Sequence, residues 1–233
     1  MNVFYLDTTP DSDISELSEE ESKHAVRVLR MQTGDDFLLA DGKGNCYSAR
    51  LVNAHPKRSS FTITGVTTHL RQSELHIAIC PTKNSDRLEW FIEKATELGV
   101  ARISFIHCSR SERTKINMER CIKTAVSAMK QSKQWWLPEI HDVSSFITFC
   151  TAQGALYQSK YIAWCETPQT KHITHELPHT STPVLVLIGP EGDFTQQETI
   201  FATEAGFIPV SLGGSILRTE TAGVYICALL REK

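Results

Sequence analysis

Two short segments combine glycine, proline and charged residues in a way that packing alone does not require: Gly189-Pro190-Glu191-Gly192-Asp193 and Gly213-Gly214-Ser215-Ile216-Leu217-Arg218-Thr219-Glu220-Thr221-Ala222. Each follows an apolar run, 184–188 and 209–212, that reads as a strand. Open α/β sheets bind ligands beyond the carboxyl ends of their strands. Glycines there let backbone N–H and C=O groups approach a flat ligand, and such groups can read an adenine edge without any side chain. Either loop alone would pass for a tight βα turn; the two together, on neighbouring strands, predict a cofactor pocket. The chain has no G-x-x-x-x-G-K-[ST], and Gly42-Lys43-Gly44 lacks the third glycine and the strand–helix setting of a dinucleotide fingerprint. Nucleotide hydrolysis at a P-loop and dinucleotide chemistry are therefore set aside.

The elements that must position these loops form an alternating series. From about residue 75, strands at 76–80, 102–106, 161–165, 184–188 and 209–212 alternate with helices at 84–98, 117–132, 144–153, 195–205 and 219–230, the signature of a parallel sheet covered by crossover helices. Leu88, Phe91, Ile92, Ala95 and Leu98 share one helical face, and Gly99 supplies the stop. The first seventy or so residues read differently. Ser18-Glu19-Glu20-Glu21 is a capping-box pattern that opens a helix running to about Met31. On such a helix Lys23, Arg27 and Arg30 fall at i, i+4 and i+7, a possible phosphate-facing stripe. Strands at 37–40, 47–52 and 61–66, broken by turn residues, then predict a small β-barrel or curled sheet.

Composition narrows the classes. A 233-residue chain with 41% hydrophobic and 22% charged residues has the material for a real core. No apolar run approaches the roughly 20 residues that span a bilayer, and the first residues do not resemble a signal peptide, so a cytoplasmic protein without membrane contact is expected. Seven scattered cysteines, never C-x-x-C, read as reduced thiols rather than a disulfide framework or zinc ribbon. The net charge of −3 excludes a protein that coats nucleic acid indiscriminately and leaves room for local basic faces, such as the loop with Arg110, Arg113 and Lys115. His172-x-x-His175-Glu176 with nearby His179 has imidazoles that could chelate zinc, but Pro178 interrupts any helix and no fourth ligand is evident, so a polar surface loop and no metal are expected.

Ile188-Gly189-Pro190-Glu191-Gly192, followed by Leu212-Gly213 and Ile216-Leu217-Arg218-Thr219-Glu220-Thr221-Ala222, resembles the SPOUT superfamily, and within it the 16S ribosomal RNA uridine N3-methyltransferase family. The resemblance extends to His24-Ala25-Val26-Arg27-Val28-Leu29-Arg30, Gly34-Asp35, Lys83, Asp86-Arg87, Lys94-Ala95-Thr96-Glu97-Leu98-Gly99-Val100 and Ser111-Glu112-Arg113, so it covers nearly the whole chain in order. It implies an α/β fold: a PUA-like RNA-binding β-barrel domain at 1–72, then a SPOUT methyltransferase domain at 73–233 whose parallel sheet carries a deep trefoil knot. It also implies a homodimer acting on 16S rRNA of the small ribosomal subunit. S-adenosylmethionine would be held by Ile188, Gly189, Pro190, Glu191, Gly192, Leu212, Gly213, Ser215, Ile216, Leu217, Thr219 and Ala222. The chain departs from the family pattern at Asp193, where a second glycine is usual, at Asn2-Val3, where an arginine is usual, and near Gln131, where Lys130 and Lys133 replace a glutamate and an arginine.

Methylating uridine at N3 requires loss of the imide proton, alignment of the nitrogen with the methyl–sulfur bond, and stabilisation of negative charge on the uracil carbonyls. Arg218 is the candidate for supporting that charge; its alternative is a salt bridge to Glu220 or Glu191. Glu191 and Glu220 are candidates for orientation or proton removal, although Glu220 at a helix start also favours the helix dipole. Lys23, Arg27, Arg30, Lys83, Arg87, Arg110, Arg113 and Lys115 are candidates for RNA contact, with a solvated surface as the alternative. Trp135 and Trp136, beside Leu137-Pro138, are expected to pack. The competing functions are another SPOUT activity, such as ribose 2′-O-methylation of tRNA, and a catalytically silent RNA-binding or ribosome-assembly factor.

Overall fold

The computed structural model describes residues 1–7, 14–165, 170–178 and 182–231. They form two compact units, one of residues 1–71 with 126–137, the other of residues 72–125 with 138–233. The end of a helix that the sequence assigns to the second domain thus clusters with the first.

The first unit is a curled five-stranded sheet of β1 (Val3–Tyr5), β2 (Ser15–Glu16), β3 (Asp36–Ala40), β4 (Asn45–Asn53) and β5 (Ser60–Thr68), in the order β1-β3-β4-β5-β2. Its core is built on Phe4, Phe37 and Phe61, which meet edge to face at 5.2 and 5.8 Å. Helix α1 (Glu19–Lys23) starts at Ser18, whose hydroxyl accepts the Glu21 N–H. The expected run to Met31 does not continue as an α-helix. Over His24–Val28 the bonding widens, with the Leu29 N–H on the His24 carbonyl, and Arg30 takes a left-handed conformation at φ 55°. The wider turn lets Ala25 and Met31 both enter the core. Lys23, Arg27 and Arg30 therefore do not form the i, i+4, i+7 stripe of a regular helix. Trp135 stacks on His69 at 5.2 Å and the Trp136 indole donates to the His69 carbonyl, so both tryptophans pack within this unit.

The second unit carries β6 (Leu75–Ile79), α2 (Ser85–Glu97), β7 (Arg102–His107), α3 (Met118–Ser132, whose last turns belong to the first unit), β8 (Glu139–Ser145), α4 (Phe146–Gly154), β9 (Ser159–Ala163), β10 (Val184–Ile188), α5 (Gln196–Glu204), β11 (Ile208–Val210) and α6 (Thr219–Leu230). The sheet is parallel throughout, in the order β11-β9-β10-β6-β7-β8. Every residue of β6 and β10 is buried, as central parallel strands covered on both faces require. Asn84, Ser145 and Thr195 cap α2, α4 and α5 with their side chains, and Thr195 and Glu198 complete a capping box. Strand β8 went unpredicted, and β9 lies between β10 and β11, so the two glycine loops leave strands one place apart rather than adjacent ones.

From the edge strand β11 the chain returns to the middle of the sheet, where α6 packs on β6 and α2. The packing is tight: a Cβ on Gly223 would lie 2.4 Å from Cε2 of buried Phe91. Among the described residues no helix is long and apolar enough to cross a membrane.

Candidate functional site

Three loops at the carboxyl ends of β9, β10 and β11 enclose a cavity of about 170 Å³. The loop after β10 begins where the Ile188 carbonyl accepts the Cys80 N–H at 3.0 Å. It turns through Pro190, whose carbonyl accepts the Asp193 N–H at 2.9 Å. Asp193 has φ 59°, a left-handed conformation that short polar side chains tolerate. Its carboxylate justifies the departure from glycine: one oxygen accepts the Phe194 N–H at 2.8 Å, the other the Cys165 N–H at 3.0 Å. Asp193 thereby fastens the loop after β9 to the loop after β10.

The loop after β11 is anchored at Ser211. Its N–H donates to the Lys171 carbonyl and its carbonyl accepts the Ile173 N–H, both at 3.0 Å. The Ser211 hydroxyl bonds the Gly213 backbone. At Gly213, φ is 129°, which a side chain would strain although the space beside it is open. Farther along, the buried Thr219 hydroxyl donates to the Gly189 carbonyl at 3.0 Å and joins the two glycine loops. In the 171–177 segment Lys171, Thr174 and His175 are exposed, Ile173 and Leu177 anchor it as buried residues, and His172 bonds Tyr225 and Thr174. His179 lies outside the described residues, among which no three potential metal ligands cluster.

Ile188, Gly189, Pro190, Glu191, Leu212, Gly213, Ser215, Ile216, Leu217, Thr219 and Ala222 all line this cavity. Gly192 does not; its carbonyl accepts from the Arg110 guanidinium at 2.6 Å. The sequence missed Ala163, Trp164, Cys165, Asp193, Ser211 and Gly214 as lining residues. The expected strand at 161–165 concealed the third wall, because its apolar residues continue past the point where pairing stops. The buried Trp164 indole N–H has no acceptor among the described residues.

The charged candidates separate into distinct settings. Arg218 is exposed at the start of α6, and among the described residues its side chain makes no hydrogen bond or ion pair. Neither expected partner engages it. Glu191 accepts the Lys83 N–H at 3.5 Å, while Glu220, only 5% exposed, faces Arg87 at 3.7 Å and leaves its second oxygen unpartnered. Lys83 pairs with Glu112 at 2.7 Å, which raises the ammonium pKa. Among the thiols, contact with Cys80 at 3.2 Å and burial push Cys108 up, and burial moves Cys150 to about 12, so neither is held as a thiolate nucleophile.

Comparison with known proteins places the chain in a family. The family described as an RNA methyltransferase domain matches residues 69–231, and an RNA methyltransferase PUA domain matches residues 17–64. Ribosomal RNA small subunit methyltransferase E of Bacillus subtilis is 29% identical over 222 residues, covering 90% of this chain and 86% of that protein. The protein of the same name from Synechocystis is 30% identical over 216 residues, covering 88% and 69%. Among solved structures, a probable rRNA-methyltransferase from Porphyromonas gingivalis superposes with a TM-score of 0.88 at 37% identity, covering 100% of this chain and 98% of that one. Ribosomal RNA small subunit methyltransferase E from Neisseria gonorrhoeae, bound to S-adenosyl methionine, has a TM-score of 0.88 at 27% identity, covering 100% and 97%.

Proposed function

This chain belongs to the RNA methyltransferase domain family, and from that premise we propose that it transfers the methyl group of S-adenosylmethionine to N3 of a uridine in the 16S ribosomal RNA of the small subunit. The observation that carries the reading is the three-loop cavity beyond β9, β10 and β11. Its chemistry suits that cofactor: close backbone at Gly189 and Gly213, and apolar faces on Ile188, Leu212, Leu217 and Ala222. When bound, S-adenosylmethionine supplies an electrophilic methyl group on a sulfonium.

The protein's own part is to hold the uracil and manage its charge. Arg218, exposed and uncommitted beside the cavity, faces the carbonyls of the deprotonated base and stabilises their negative charge. Glu191, exposed on the cavity wall, orients the base or accepts the N3 proton. Glu220 acts from beneath, through its contact with Arg87. Lys23, Arg27 and Arg30 on the first unit, and Lys83, Arg110, Arg113 and Lys115 on the second, contact RNA phosphates; these contacts position the RNA and leave base choice to the cavity. The active species is a cytoplasmic homodimer, which light scattering at micromolar concentration tests separately.

The test is transfer of radiolabelled methyl groups from S-adenosylmethionine to small ribosomal subunits from a strain lacking the gene, followed by nucleoside analysis. Label in 3-methyluridine is expected. Label in another nucleoside overturns the uridine N3 assignment, and no label in any RNA, with the cofactor bound, overturns the catalytic reading.

A further inference from the structure

A second cleft, of about 420 Å³, opens at the same edge of the sheet between the ends of β7 and β8 and the first turns of α4 and α5. It shares no lining residue with the cofactor cavity, yet the chain after β10 runs from one to the other: Pro190 and Asp193 face the first, Thr195 and Gln197 the second. Apolar surface dominates its interior. Phe146 forms the floor, Phe201 is half-buried, and Ile147, in the first turn of α4, is 60% exposed.

The electrostatics around this cleft are graded. At its base Glu198 accepts the Ser109 N–H and hydroxyl and the Thr195 N–H and hydroxyl, at 2.7 to 3.0 Å. Burial alone would raise its pKa, but the four hydrogen bonds outweigh burial and lower it, so the carboxylate stays charged. A phosphate is thereby disfavoured inside, while Ser109, which lines the cleft, is followed in the chain by Arg110. Arg110 bonds the Gly192 carbonyl, so its loop is tied to the loop after β10.

We infer that the second cleft takes an unpaired nucleotide flanking the target in the same RNA, its base against Ile147 and Phe201 and its phosphate toward Arg110. The inference rests on the reading that the substrate is RNA. An enzyme that modifies a base must take it out of the stack, which leaves its neighbours unstacked as well. An apolar surface restores stacking to such a base without regard to sequence, while basic side chains hold its phosphate. An apolar interior with a charged carboxylate at the base, next to the loop that Arg110 ties to Gly192, fits that division of labour.

The experiment uses the full chain and a short single-stranded oligoribonucleotide carrying 5-iodouridine. Binding is followed by anisotropy, and photo-crosslinked peptides are mapped. Two variants alter exposed positions only. Ile147→Glu removes the apolar contact, and Gln197→Glu adds a negative charge at the start of α5, where an acid suits the helix dipole and spares folding. Crosslinks are expected in the peptides around 146–147 and 197–201, with RNA affinity about tenfold lower in Ile147→Glu, the scale of one lost stacked base, a smaller loss in Gln197→Glu, and unchanged S-adenosylmethionine binding in both. Crosslinks confined to other peptides, or wild-type RNA affinity in both variants, overturn the inference and leave the methyltransferase reading standing. Failure of the wild-type chain to bind the oligoribonucleotide, with the cofactor still bound, overturns the inference, whereas the methyltransferase reading stands or falls on transfer to small subunits.

Discussion

The bond between Thr219 and Gly189 gives the most quantitative handle on the cofactor cavity. Thr219 is 4% exposed, and its hydroxyl donates to the Gly189 carbonyl at 3.0 Å. Thr219→Val keeps the shape and removes the donor, so the buried carbonyl loses its partner at a cost of about 1–3 kcal/mol. Two outcomes bracket where that cost appears. If the loops stay together, stability falls by the full amount, and for a chain of this size Tm drops by roughly 2–12 °C. If they part within an otherwise folded protein, the binding-competent state is depleted and the apparent Kd for S-adenosylmethionine rises by about 5- to 150-fold. Thermal denaturation and calorimetric titration measure the two separately, and Thr219→Ser, which retains the hydroxyl, should show the smaller change in both. A valine variant with wild-type Tm and wild-type affinity would refute the role assigned to this bond.

Arg218→Ala should change stability by less than about 0.5 kcal/mol, because the side chain is exposed, yet lower single-turnover methyl transfer by about 10²- to 10³-fold with cofactor affinity intact; an unchanged rate removes Arg218 from the chemistry. Burial, with His141 and Arg102 nearby, lowers the pKa of His76 from 6.5 to about 3. The unfolded chain therefore binds the extra proton between those values, so this contribution is complete above pH 6.5 and is lost as pH falls toward 3, with about 2 kcal/mol gone by pH 5. Urea unfolding across that range checks it, and a flat profile contradicts it. Gly223→Ala gains about 1 kcal/mol of helix propensity but overpacks buried Phe91 by about 1–3 kcal/mol, so a net loss of up to about 2 kcal/mol is expected in denaturant unfolding, and a stabilised variant would contradict the close approach of α6 to α2.

Legibility in the sequence followed burial. Val184–Ile188 and Thr219–Leu230 were readable to the residue because the first is apolar throughout and the second begins after a charged loop. β8 escaped because an edge strand pairs on one side only, and Glu139, His141 and Asp142 stay exposed. β1 and β2, of 3 and 2 residues, were too short to show a period. The widened turn at His24–Val28 was hidden for another reason: local spacing cannot say which of two helical registers places Ala25 and Met31 in the core. At the candidate site the glycine loops were legible and the third wall was not. Trp164 and Cys165 look like strand continuation, and only the Asp193 carboxylate on the Cys165 N–H makes them part of the cavity. Strand order was equally out of reach, since the placement of β9 between β10 and β11 is a matter of tertiary pairing.

The central claim, that the loops after β9, β10 and β11 hold the methyl donor, is tested most directly by hydrogen exchange with and without saturating S-adenosylmethionine. Slowed exchange concentrated in peptides covering 163–165, 188–193 and 211–222 is the predicted result. Saturable binding that protects other segments and leaves these three unchanged would contradict the account.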